Sequence, residues 1–123
     1  MEKIYYNKLC RDRIPEIIKE RGYECEVRET DHEEFKREII RKVYEEASGV
    51  TNYDSREHMI SEIADLMLTI DAVKKEFQIS EAELSAAIDI SLAEKGGYEK
   101  RLYLSWSSDT KYRSNEQIHG FDD

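Results

Sequence analysis

Residues 57–77 read Glu-His-Met-Ile-Ser-Glu-Ile-Ala-Asp-Leu-Met-Leu-Thr-Ile-Asp-Ala-Val-Lys-Lys-Glu-Phe, and the fold class turns on the periodicity of this stretch. At about 100° per residue, Met59, Ile60, Ile63, Leu66, Met67, Ile70, Val73 and Phe77 cover one broad helical face, which Ala64, Leu68 and Ala72 extend. A helix so widely apolar is expected to be covered on more than one side. Its polar stripe is His58, Glu62, Asp65 and Thr69, stacked at offsets of three and four residues. Two carboxylates thus project from a mostly apolar helix. Asp71, about 120° around from Asp65, does not join them.

Upstream, Phe35, Ile39, Ile40, Val43, Tyr44 and Ala47 recur at helical spacing and predict a helix over 32–48, capped by Thr30 or Asp31. Glu33 or Glu34 would complete the capping box, and Ser48-Gly49 would end the helix. Glu45 and Glu46 stand near that end. Glu46 falls seven residues after Ile39 and three after Val43, hence on or beside the apolar face. The polar loop 50–56 is short enough to make the two helices antiparallel neighbours. Acids directed into such a seam form a hard oxygen site suited to magnesium or manganese, whereas acids on its rim are solvated charges. On spacing alone the solvated reading is the simpler one.

Further out, Tyr5 to Arg11 reads as an extended lead-in, and Asp12 is expected to cap a short helix with Pro15 in its first turn and Gly22 at its end. Ser80, with Glu83 three residues on, opens another helix that stops at Gly96-Gly97. Two alternating segments, Tyr23 to Arg28 and Tyr98 to Leu104, predict a small two-stranded sheet. The expected fold is therefore mainly α, an antiparallel helical bundle over residues 1–104 with that sheet. Residues 105–123 form a polar tail, with Trp106, Tyr112 and Phe121 as scattered aromatics, or an arm lying on a partner subunit.

A length of 123 residues suits one domain, and 39% hydrophobic with 38% charged residues suits a helical soluble protein. The net charge of −9 argues against nucleic-acid polymers and anionic membranes, while leaving room for a small anion neutralised locally. No apolar run is long enough to span a bilayer, and the first residues lack the continuous apolar segment of a secretory signal, so the expected location is cytoplasmic. Cys10 and Cys25 read as free thiols rather than zinc ligands.

Three segments together carry a resemblance. They are Tyr6-Asn7-Lys8-Leu9-Cys10-Arg11-Asp12-Arg13-Ile14-Pro15; Glu45-Glu46 followed by Glu62-Ile63-Ala64-Asp65-Leu66; and Lys95-Gly96-Gly97-Tyr98-Glu99-Lys100-Arg101. In order and spacing the chain from Tyr6 to Leu104 resembles the all-α nucleotide pyrophosphohydrolases of the MazG and phosphoribosyl-ATP pyrophosphohydrolase-like superfamily, and most of all their small house-cleaning branch. The resemblance implies magnesium-dependent cleavage of a nucleoside triphosphate to a monophosphate and pyrophosphate, with non-standard nucleotides as candidate substrates. It assigns the catalytic metal ligands to Glu46, Glu62 and Asp65, with Glu45 as a supporting acid. Substrate contacts fall to Asn7, Lys8, Arg11, Arg13, Lys95, Tyr98 and Arg101.

The chain departs from the family pattern in one place. The family's ExxE expects a second glutamate at position 49, where this sequence has Gly49. Asp54 or Glu57 replaces it, or water completes the magnesium shell, or turnover is impaired. On the sequence alone, Gly49→Glu is expected to create or raise hydrolysis. Three functions follow as alternatives: a pyrophosphohydrolase, a weakened relative that binds or sequesters a nucleotide or nucleotide-derived signal without cleaving it, and a helical assembly protein. The breadth of apolar surface on 57–77 leads to the expectation of a homodimer or higher homo-oligomer.

Overall fold

The structure, a computed structural model, describes residues 2–112. These form four helices, α1 (Ile14–Glu20), α2 (His32–Thr51), α3 (Arg56–Glu76) and α4 (Glu81–Lys95). The mainly α expectation holds. No described helix is long and apolar enough to cross a membrane. The described residues fall into two units, divided between Ser85 and Ala86 within α4.

The first unit is built on α2 packed against α3. They are antiparallel: His32 at the start of α2 lies 3.1 Å from Glu76 at the end of α3, and Gly49 near the end of α2 abuts Glu62 in the second turn of α3. The turn 52–55 is too short for any other arrangement. Ile39 on α2 is buried at 6% exposure, with Val43, Leu66 and Val73 half-buried. A second stripe of α3, at heptad-like spacing, stays open: Ile60, Ile63, Met67 and Ile70 are 55, 43, 67 and 39% exposed.

Local sequence signals account for the helix ends. Asp31 caps α2 by accepting the Glu34 amide at 2.8 Å, while the Glu34 carboxylate turns to Arg28 at 2.7 Å instead of closing a capping box. Ser55 caps α3 through the His58 amide. Ser80 and Glu83 form the expected capping box at α4: the Glu83 amide donates to Ser80 Oγ at 3.1 Å and the Ser80 amide to Glu83 Oε1 at 3.3 Å. Gly22, at φ +85°, ends α1 in a Schellman turn, its amide donating to Lys19 and that of Tyr23 to Ile18. The same turn ends α3 with Gln78 at φ +55°, a conformation that a side chain disfavours. Gln78→Gly is therefore expected to stabilise the protein by about 1 kcal/mol, read as a higher denaturant midpoint at unchanged m-value; an unchanged midpoint would show that Gln78 carries no strain.

Three expectations need correction. Among the described residues there is no strand: 23–28 and 101–104 are irregular, and Tyr23, Val27, Leu102 and Tyr103 are exposed, so their alternation has no apolar layer to bury against. Ser48-Gly49 does not end α2, which continues to Thr51. Ser48 Oγ donates to the Tyr44 carbonyl, and Thr51 Oγ1 and Asn52 Nδ2 both donate to the Ser48 carbonyl, satisfying the last turn in helical form. Finally, α1 has Arg13 and not Asp12 at its N-cap position, with no side-chain cap bond, and its entry is held by the Ile14 amide on the Arg11 carbonyl.

In the second unit α4 ends at Lys95 with Gly96 at φ +77°, as its glycines imply. A turn at Tyr98–Arg101 follows, then irregular chain. Trp106 and Tyr112 of the expected tail are exposed, and Phe121 lies outside the described residues.

Candidate functional site

Three carboxylates converge where α2 ends and α3 begins. Glu46, Glu62 and Asp65 each place one oxygen within 4.8 Å of the others, and all three side chains are half-buried. The antiparallel register brings them together: Glu46 lies one turn beyond Val43 on the packed face of α2, and Glu62 and Asp65 share the polar stripe of α3. Charges so placed repel one another with less screening than on an open surface.

Among the described residues, each acid has a basic side chain beside it. His58 Nε2 is 3.1 Å from Glu62 Oε1, Arg11 is 3.5 Å from Asp65 Oδ1, and Lys42 Nζ is 4.0 Å from Glu46 Oε1. The acids themselves are an oxygen-only set, three hard donors with room for others, which matches magnesium's preference for a few carboxylates completed by water and phosphate oxygens. On donor chemistry the residues fit the metal. Glu45 points elsewhere, 2.6 Å from Lys8 and 3.4 Å from Lys42. Asp54 is exposed and engages His58: its amide donates to Nδ1 at 3.2 Å, and its Oδ1 lies 3.1 Å from the same atom.

Position 49 opens onto the cluster. A Cβ built on Gly49 would overlap Glu62 Oε2 and come within 3.0 Å of its Cδ. Gly49 therefore faces the acids from α2, at the position where the resemblance expects a further carboxylate.

The basic residues divide. Lys8 and Arg11 reach α2 and α3 from the N-terminal segment, and Asn7 with Lys8 and Leu9 borders a recess of about 170 Å³ against Glu38, Arg41, Lys42 and Glu45. Glu46, Glu62 and Asp65 do not line that recess. Arg13 pairs with Glu16 at 3.3 Å. Lys95, Tyr98 and Arg101 belong to the second unit, where Tyr98 is 93% exposed and Arg101 adopts φ +55°. Lys42 escaped the reading of the sequence, although its offsets of three and four from Glu45 and Glu46 carried the signal.

The Lys8 hydrogen bond holds Glu45 below the usual carboxylate range, helped by the charge of Lys42, and the same bond raises Lys8 above the usual lysine range. The tie contributes stability above the ordinary glutamate pKa and loses it as pH falls through the lowered Glu45 value. At the alkaline end it fades as pH rises through the raised Lys8 value. Because both side chains are substantially exposed, the effect is local. Lys8 Nζ also sits 5.9 Å from the centroid of the Tyr6 ring. In NMR titrations the Tyr6 ring and residue 7–9 amides are expected to shift together below the ordinary glutamate range, and Lys8→Ala should abolish that transition. Shifts at an unperturbed carboxylate value would exclude the tie.

Comparison of the chain with protein-family models, with curated proteins and with solved structures finds no match.

Proposed function

We propose that the protein is a magnesium-dependent nucleoside triphosphate pyrophosphohydrolase of the MazG-like all-α kind. The observation that supports this most is the meeting of Glu46, Glu62 and Asp65, drawn from two helices, within 4.8 Å. Residues with these spacings are the ones that the resemblance assigns to the metal. Magnesium held there would gather phosphate oxygens, acidify a bound water and offset charge during in-line displacement.

The remaining work falls to the chain. Arg11 lies at the rim of the cluster on a weak 3.5 Å contact with Asp65, so its planar guanidinium can transfer to a phosphate at little cost. Lys8 holds the N-terminal segment on α2 and adds a point charge beside the site. Asn7, Arg13, Lys95, Tyr98 and Arg101 are proposed as further nucleotide contacts on the resemblance alone. Water cleaves the phosphoanhydride between the α- and β-phosphates, giving the monophosphate and pyrophosphate. The proposed working form is a homodimer or larger homo-oligomer, supported by the open Ile60, Ile63, Met67 and Ile70 stripe and by a chain in which, among the described residues, only Ile39 is buried.

The test is incubation of the purified protein with magnesium and a mixed nucleotide pool, followed by mass spectrometry of the solution and of ligand released by heat. Monophosphate with pyrophosphate in solution is the expected result and identifies the base. Intact nucleotide retained on the protein would replace hydrolysis with capture. Neither product nor retained nucleotide would overturn both and leave an assembly role.

A further inference from the structure

We infer that Gly49 and His58 are positioning residues that together seat the Glu62 carboxylate, and that position 49 is not a vacated ligand position. The inference rests on the metal reading of the acid cluster and reverses what the sequence alone implies for Gly49→Glu.

Both oxygens of Glu62 are accounted for. Oε1 lies 3.1 Å from His58 Nε2. An ionised carboxylate only accepts, so Nε2 carries the hydrogen. The imidazole is held in turn at the 52–55 turn through Nδ1, which accepts the Asp54 amide at 3.2 Å when unprotonated and donates to Asp54 Oδ1 at 3.1 Å when protonated. Oε2 occupies the space above Gly49 that any side chain there would take. His58 thus fixes one oxygen by a hydrogen bond, and Gly49 admits the other by lacking a Cβ.

Backbone conformation offers no separate reason for this glycine. Gly22 and Gly96 have positive φ, whereas Gly49 lies within α2 and is not among the positive-φ residues. In such a place glycine weakens a helix relative to alanine. Space for Glu62 is the local consequence that offsets this. The overlapping atoms are the far end of a flexible side chain, so a Cβ at 49 would leave the helices in place and force the Glu62 carboxylate out of its present seat beside Glu46 and Asp65. A longer acid at 49 would do the same before it could add a ligand.

The test titrates Mn²⁺ by electron paramagnetic resonance into the full chain and its Gly49→Ala, Gly49→Glu, His58→Gln and His58→Leu variants, alongside thermal unfolding without metal. Gly49→Ala is expected to raise Tm by about 2–5 °C yet weaken Mn²⁺ binding by about tenfold. Gly49→Glu should also bind more weakly than the unaltered chain. His58→Leu should lose about 10- to 100-fold, and His58→Gln, whose amide can donate from nearly the same place, should recover most of it. Tighter binding by Gly49→Glu, or unchanged binding by Gly49→Ala, would overturn the inference and leave the metal site standing. Absence of Mn²⁺ binding by the unaltered chain would overturn the metal reading itself, and the inference with it.

Discussion

Glu62→Gln is expected to lower kcat by about 10³-fold, equivalent to about 4 kcal/mol of transition-state stabilisation, and to remove most Mn²⁺ binding. The amide keeps the size of Glu62 and an oxygen that can still accept from His58, so the change removes charge and little else. Glu46→Gln and Asp65→Asn should behave alike, and a double variant should lose little more than either single one, because on the proposed metal reading three oxygens within 4.8 Å of one another would act as one set. The same substitutions should leave the metal-free fold as stable or slightly more so, since one of three mutually repelling carboxylates is gone. That opposite sign separates a functional cluster from a structural one. If Glu62→Gln retained a tenth or more of the activity with unchanged Mn²⁺ affinity, the cluster would not be the catalytic centre.

Met67→Glu carries the second large effect. Met67 is 67% exposed in the single chain, and a surface substitution of that kind ordinarily changes stability by less than about 0.5 kcal/mol. Where Ile60, Ile63, Met67 and Ile70 are instead covered by a second copy, the substitution buries an unpartnered carboxylate, at a cost of several kcal/mol. Sedimentation velocity should then show the unaltered protein at twice 14.6 kDa or more and the variant as a monomer, with a broadened, earlier thermal transition. A variant with the same sedimentation and the same Tm would show that this stripe is not the interface. An unaltered protein that sediments as a folded monomer would end the oligomer proposal altogether.

The lowered Glu45 and raised Lys8 values bear on a different part of the molecule. They describe how the N-terminal segment is held on α2, beside the acid cluster but not within it. Loss of that tie in acid should therefore precede, and not require, unfolding of the α2–α3 pair.

Much of this architecture was legible before any coordinates. Apolar recurrence at helical spacing located α2 and α3, Ser80 with Glu83 located the start of α4, and Gly22 and Gly96 marked two helix ends. These signals are local: a cap or a helical hydrogen bond joins residues within about four positions, so the chain carries them in plain order. The stripe of His58, Glu62, Asp65 and Thr69 was legible for the same reason. Alternation at Tyr23 to Arg28 misled, because a strand requires a distant partner and an apolar layer, neither of which a six-residue pattern contains.

The sequence by itself determined the helices, the direction of the α2–α3 turn and which acids share a face. Only the tertiary structure decided that Glu46 meets Glu62 and Asp65, that Glu45 turns to Lys8, and that Glu62 fills the space over Gly49. Those outcomes depend on the register and separation of two packed helices, set jointly by side chains such as Ile39, Val43 and Leu66. A shift of one residue along either helix, about 1.5 Å and 100° of turn, would have dispersed the acids.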